Sequence, residues 1–402
     1  MNQPDAIARR ILAGGIISLA VALGISRFAY TPLLPLMQQE VAFGDDFAGL
    51  LASVNYVGYL AGALWAAWTA QSGERADRLR LHLALTILSI LGMGLTQDPL
   101  VWFALRFVSG TSSALVFVLA SGLVLEALAR YGRPAWSGWL YAGVGLGIAV
   151  SVLLIVPLNA WAGWRGGWIG LAAVSALLAW GIRGWVVEPE SSTVSTGQNS
   201  PGRAEPISRG LLPWLVAAYG LEGLGYIVTG TFLVAWLQRS SELGQAGFLA
   251  WFLVGVAAIP SCILWMKAGL RLGLVPTLIL AHLVQALGIL LPLLSPTLWG
   301  ALGGAVFFGG TFLGIAALTL VLGRGLAPQN PSRVIAILTA AFGAGQMLGP
   351  VIAGYLATQT LGTSLPLIGA AAVVAGGAVL LGIGLACTQG ARLMTAQPTT
   401  DR

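Results

Sequence analysis

The chain has 402 residues, 57% of them apolar and only 8% charged, with a formal net charge of +6. So few charges cannot coat a water-soluble globule of this size, because Lys, Arg, Asp and Glu are what keep such a surface wet. A soluble enzyme, a secreted disulfide scaffold and a disordered chain are excluded, which leaves a membrane protein.

A bilayer core about 30 Å thick needs about 20 apolar residues per helix. Such stretches predict twelve helices, the first six at roughly 11–37, 47–70, 81–97, 99–128, 135–158 and 164–187. The other six fall at roughly 211–237, 246–268, 274–294, 297–322, 333–358 and 364–387. The first follows Arg9 and Arg10 but outruns a signal peptide and shows no small-residue cleavage site, so it reads as a retained span. Only Gln97, Asp98 and Pro99 part the third from the fourth. Runs of this length exclude barrel strands, which are about ten residues long and alternate in polarity. Residues 188–210, rich in Ser, Thr, Gly and Pro, read as a flexible linker. The expected fold is an all-α integral membrane protein, with six-helix halves at 1–187 and 211–402 joined by a cytoplasmic linker at 188–210.

Every basic residue except Lys267 is arginine, and they lie between apolar blocks rather than in one patch. This pattern is a topology signal and not a nucleic-acid surface. With the N-terminus inside, sixteen Lys and Arg fall on the cytoplasmic side, two (Arg165 and Arg239) opposite, and Arg27 and Arg106 within spans. Both termini are therefore expected in the cytoplasm. Gly24 precedes Tyr30 in span 1 as Gly220 precedes Tyr226 in span 7, and spans 5 and 11 both carry glycine series, at Gly143–Gly147 and Gly343–Gly349. These matches, with the even division, point to an internal repeat of the kind used by secondary transporters. Cys262 and Cys387 sit in apolar runs and form no disulfide framework.

The loop after span 2, with Gly73, Asp77 and Arg78, resembles the G-x-x-x-D-[RK]-x-G-[RK] element of the major facilitator superfamily, although Arg80 replaces its second glycine. Arg106 and Gly110 in span 4, and Trp164-Arg165 before span 6, are similar to further elements of that superfamily. Arg27-Phe28-Ala29-Tyr30-Thr31-Pro32-Leu33-Leu34-Pro35 resembles the first-helix signature of its bacterial YbfB-type branch. Asn55 to Tyr59, Gly225-Tyr226 and Phe342 to Pro350 agree with that branch. The resemblance implies an inner-membrane secondary transporter whose spans 1 and 7 face one cavity. It implies a proton-relay role for Arg106 and a gating role for Gly73, Asp77 and Arg78. It specifies no substrate.

Charges at mid-membrane depth cost at least about 2.5–3.5 kcal/mol and are functional candidates by default. Arg27 lies about fifteen residues into span 1 and Glu222 about eleven into span 7, both near the midplane at about 1.5 Å per residue. They are expected to face each other across the cavity, either as a coupling pair with Glu222 carrying the proton or as a permanent ion pair locking the halves. Helical spacing puts Arg27, Tyr30 and Thr31 on one face, and Glu222, Tyr226 and Thr229 on another. Asn55, Tyr59 and Gln346 turn inward, either to touch substrate or to join helices. Arg106, about seven residues into span 4, reads as lying near the outer surface, where a bracing role competes with proton relay. His82 and the lone His282 offer no metal site, and no cofactor is called for.

No paired acids, zinc-spaced histidines, G-x-S-x-G serine or phosphate-binding G-x-x-x-x-G-K loop occurs, so neither an intramembrane enzyme nor an ATP-driven pump fits. A sensor would usually bring a soluble domain, and a channel fits the composition although two repeated halves favour alternating access, so a sensor or channel without active transport stands as the alternative of another class. The expected partners are protons, the lipid bilayer and a small polar or anionic solute, handled by a monomer. The alternative cargo is an amphipathic drug-like compound, since fifteen tryptophans could line a greasy cavity.

Overall fold

The computed structural model describes residues 3–69, 74–187, 209–240, 243–244, 246–359 and 364–395. Gly73 and residues 188–208 of the expected linker lie outside the described residues. No strand occurs among those described. The chain begins with α1 (Gln3–Leu19), a π-helical turn (Ala20–Ile25) and α2 (Tyr30–Val41), then α3 (Asp45–Thr69), α4 (Arg75–Leu95) and α5 (Pro99–Arg130). A 3-10 segment (Pro134–Tyr141) leads into α6 (Ala142–Ile182). After it come α7 (Leu212–Arg239), α8 (Ala246–Leu272), α9 (Leu274–Leu294), α10 (Leu298–Gly309), α11 (Phe312–Leu326), α12 (Pro331–Gln359) and α13 (Leu365–Thr395).

Eleven helical stretches among the described residues are long and apolar enough to cross a membrane. The longest, Pro134–Ile182, has 49 residues and is not straight. Gly163 adopts φ +63° and ψ −167°, a conformation open essentially to glycine alone. Beyond it Gly170 packs on the Leu158 side chain, which a straight helix would hold about 18 Å away. The chain reverses at Gly163 and crosses twice, so the stretches make up the twelve predicted crossings. The short turn between crossings 3 and 4 works by capping: Asp98 accepts from the Leu100 and Val101 amides, with Pro99 in the first helical turn.

Two crossings are broken within the membrane. Crossing 1 leaves regular helix between Ile25 and Tyr30, and crossing 10 breaks at Gly310–Thr311. Pro32 has no N–H, so the Phe28 carbonyl loses its α-helical donor and keeps only a tighter bond from the Thr31 amide at 3.3 Å. Trp251 Nε1 of α8 adds a second donor at 3.3 Å. At the other break the Gly310 carbonyl accepts from Ser261 Oγ at 2.8 Å and Trp265 Nε1 at 2.7 Å, again from α8. Helix α8 thus satisfies the backbone that both breaks release, as lipid-embedded irregular structure requires.

Crossings 1–6 pack on one another, as do 7–12, and the two sets meet where α3 lies on α12, α6 on α8 and α2 on α7. Glycine permits the closest approaches. Gly145 of α6 abuts the Gly255 carbonyl of α8 (a Cβ there would stand 2.5 Å away), and Gly345 of α12 abuts α7 at Gly220 and Leu224. Within the first set, a Cβ on Gly110 of α5 would strike the Asn55 carbonyl and sit 2.9 Å from the Tyr59 amide nitrogen. Gly110→Val is therefore expected to destabilise the protein by at least about 2 kcal/mol. The check is the melting temperature of the detergent-purified variant, and an unchanged value would contradict the close approach.

Candidate functional site

The break in crossing 1 decides where its side chains point. Arg27 stands in the irregular turn, 5% exposed, with its guanidinium carbon 4.4 Å from the Tyr56 ring centroid and 4.7 Å from that of Tyr59. Both rings come from α3, and the Phe28 ring stands at 5.6 Å. Cation–π contact stabilises the buried charge by up to about 2 kcal/mol per ring when desolvated. It leaves N–H groups unfilled: Nε and Nη2 of Arg27 are buried and have no hydrogen-bond partner. Among the described residues no carboxylate stands within ion-pair distance of Arg27.

Of the three residues expected on one face, Arg27 and Tyr30 turn to α3 and Thr31 turns to α7. Tyr30 donates its hydroxyl to the Ala48 carbonyl at 3.0 Å, inside the first half. Thr31 donates to the Gly230 carbonyl of α7 and so joins the halves. Arg106 makes the contacts of a helix-bracing residue. It is 1% exposed, donates from Nη1 to the Ser26 carbonyl at 3.3 Å and lies 4.7 Å from the Tyr30 ring centroid. Asn55 Nδ2 donates to the Arg106 carbonyl at 2.9 Å, and Ser26 and Ser109 hydroxyls meet at 2.6 Å. These residues brace crossings 1, 2 and 4 together.

Glu222 does not pair with Arg27. Its Oε1 accepts from Gln285 Nε2 of α9 at 2.8 Å, which turns the carboxyl into the second half. Tyr226 and Gln346 meet through a hydrogen bond from the amide to the phenol oxygen. Around them runs an aromatic column: Tyr219 stacks on Phe342 at 4.3 Å, Phe342 on Tyr226 at 5.4 Å, Tyr226 on Phe312 at 5.9 Å and Phe312 on Phe308 at 5.9 Å. Between Phe28, Tyr226, Trp251, Phe308 and Phe312 the enclosed space is too small to admit a water molecule. Tyr59 and Tyr56 belong to the same interior, through Arg27.

The ends of the bundle differ in charge. At the arginine-rich end Asp77 pairs with Arg80 at 2.5 Å, Arg75 with Glu126 at 3.0 Å and Arg133 with Asp5 at 2.8 Å. Asp77 and Arg78 both lie in the first turn of α4, and Arg80 reaches the Arg183 carbonyl of α6 at 3.0 Å. At the opposite end Arg239, the last residue of α7, grips both Asp45 oxygens at 2.6 Å and Gln38 Oε1 at 3.3 Å. Gln38 Nε2 in turn donates to Asp45 at 2.9 Å. This clamp, Gln285, and the Trp251 and Phe312 walls had no signal in the sequence beyond their residue types. A lone Asp beside Asp46 at a helix start reads as an ordinary first-turn acid.

Residues 19–381 match the profile of a family described as an uncharacterised MFS-type transporter, YbfB. A Bacillus subtilis (strain 168) protein described as the uncharacterised MFS-type transporter YceJ is 26% identical over 359 residues, covering 85% of this chain and 88% of that one. The fold is similar to that of a mutant of the nucleoside transporter NupG, with a TM-score of 0.69 at 12% identity, covering 96% of this chain and 99% of that one. It is also similar to a bacterial homologue of the human lysosomal transporter Spinster in an inward-facing, unoccupied conformation. There the TM-score is 0.68 at 14% identity, with 96% and 97% of the two chains covered.

Proposed function

Because this chain belongs to the YbfB-type family of the major facilitator superfamily, and is thus a multi-pass membrane transporter and not an enzyme, we propose that it moves a small organic anion by alternating access coupled to protons. One observation carries the choice of cargo. Arg27 is buried with two nitrogens lacking hydrogen-bond partners and, among the described residues, no acid within ion-pair distance. A guanidinium in that condition is stabilised by an incoming anion, which fills its planar fork in two parallel hydrogen bonds. Tyr59, Tyr226 and Gln346 frame the same interior and supply polar contacts, while Thr31, Tyr30, Asn55 and Arg106 hold the surrounding helices.

The hydrogen bonds that join the halves support alternating access. Thr31 to Gly230, Trp251 to Phe28 and the Asp45–Arg239 clamp all lie on the arginine-poor side of Arg27. The excess of arginine at the other end supports both termini in the cytoplasm, and hence placement in a bacterial inner membrane with closure on the outer side. Within that scheme the protein works as a monomer, the linker at 188–210 joins the halves and the Gly73–Arg78 loop fastens helix ends in one state. The aromatic wall of Phe28, Trp251, Phe308 and Phe312 favours a second reading, export of amphipathic drug-like compounds.

The test is transport in proteoliposomes under an imposed pH gradient, with one panel of organic anions and one of amphipathic drugs. Anion accumulation that follows the gradient supports the first reading, and movement of the second panel alone replaces it. Glu222→Gln is expected to abolish gradient-driven accumulation and to leave substrate exchange at equal pH intact. Accumulation that is unchanged in Glu222→Gln removes Glu222 from the coupling.

A further inference from the structure

Hydrogen-bond accounting around Glu222 leaves a specific mismatch. Its Oε1 is satisfied by Gln285 Nε2, but Oε2 is buried without a partner, and so is Oε1 of Gln285. Both groups are essentially sealed, at 1% and 0% exposure. If the carboxyl were ionised, two acceptor-only oxygens would be left together in a medium that offers neither water nor a donor, which is strongly unfavourable.

No neighbour offsets that charge. Among the described residues no Arg, Lys or His stands within ion-pair distance of Glu222. The cations on the elements packed around α7 are Lys267 and Arg271 of α8, Arg324 of α11 and Arg333 of α12, all exposed near helix ends, together with Arg209 just before α7 and Arg392 in the last turn of α13. His282, one turn before Gln285 on α9, spends its Nδ1 proton on the Leu278 carbonyl at 2.8 Å, which leaves Nε2 as an acceptor. On α7 itself Tyr219 stacks on Phe342, and the Tyr226 oxygen is taken by Gln346. Helix α13 carries no charged side chain between Leu365 and Thr388.

We propose that Glu222 is a neutral carboxylic acid in this conformation, and that Gln285 is the positioning residue that selects this form. A protonated carboxyl has one donor and one acceptor in a plane, and a primary amide has the same pair reversed. With Nε2–H already on Oε1, a proton on Oε2 donates to Gln285 Oε1 and closes a ring of two hydrogen bonds. Loss of that proton turns the second bond into a contact between lone pairs, so the proton leaves only when α7 and α9 part or water enters. The inference deepens the proton-coupling reading above by assigning this closed-outside form as proton-loaded.

Infrared difference spectroscopy tests this on the intact protein in lipid at pH 7, without substrate or gradient. Wild type minus Glu222→Gln is expected to show a protonated-carboxyl carbonyl band. Gln285→Leu is expected to shift that band to higher wavenumber, because the acid loses its acceptor. A difference spectrum holding only carboxylate bands overturns the neutral acid, and a band unmoved by Gln285→Leu overturns the role of Gln285. Gln285→Met serves as a second apolar variant if Gln285→Leu does not fold. Because no transport is measured, an uncoupled transporter could still show the band, and a coupled one could lack it, so the two readings fail separately.

Discussion

Arg27→Gln is expected to weaken transport of the organic anion by about 10- to 150-fold in KM, the equivalent of about 1.5–3 kcal/mol for hydrogen bonds to a charged group. Glutamine keeps polarity and much of the length but loses the charge and the fork, while Tyr56 and Tyr59 lose their cation. Arg27→Lys keeps the charge without the planar donors, so its KM is expected between the two. The measurement is initial uptake in proteoliposomes at equal pH on both sides, with the melting temperature checked for each variant. A folded Arg27→Gln protein with wild-type KM would falsify the anion site. The same outcome would leave the aromatic wall as the binding surface.

Asp45→Asn is expected to open the arginine-poor face. The clamp joins the last residue of α7 to the first of α3, across the halves, with Asp45 9% and Arg239 45% exposed at the side chain. A partly buried, doubly hydrogen-bonded pair is stronger than an exposed one, and its loss is worth about 1–2 kcal/mol, or about 5- to 30-fold in the population of the open form. Cys262 is buried and Cys387 exposed, so a Cys387→Ser background carrying Thr31→Cys gives one reporter where crossings 1 and 7 touch. Its labelling by a membrane-impermeant thiol reagent is expected to accelerate by that factor when Asp45→Asn is added. Arg239→Gln is expected to act alike, and the two together no more than either alone. Labelling at the same rate in all of them would show that the close packing of α3 on α12, where Gly49 abuts the Pro350 carbonyl and Gly354 the Asp45 carbonyl, and not the clamp, holds this face shut.

The charge at Arg27 shows why a site can be located from sequence yet not assembled from it. Depth is additive along a helix, so counting apolar residues is enough to single out Arg27 and Glu222 as candidates near mid-membrane. Direction is not additive. Tyr30 reaches Ala48 of α3, the helix whose tyrosines hold Arg27, while Thr31, one residue on, crosses to Gly230 of α7. Arg106 makes the same point. Its position along crossing 4 left bracing and proton relay open, and its contacts with Ser26 and Tyr30 depend on how the helix is turned.

Scarcity of charge, read in order, determined most of the architecture. Twelve crossings, the polar interruption after the sixth and the arginine bias between faces all follow from the exclusion of bare charge and unpaired backbone from hydrocarbon. That constraint acts on each segment locally. Only the tertiary structure decided the partners: Gln285 for Glu222, the two tyrosines for Arg27, Asp45 for an arginine 194 residues away. Those pairings depend on how each helix is turned about its axis. That rotation is set by glycine contacts and broken turns between helices far apart in the chain, which no local pattern records.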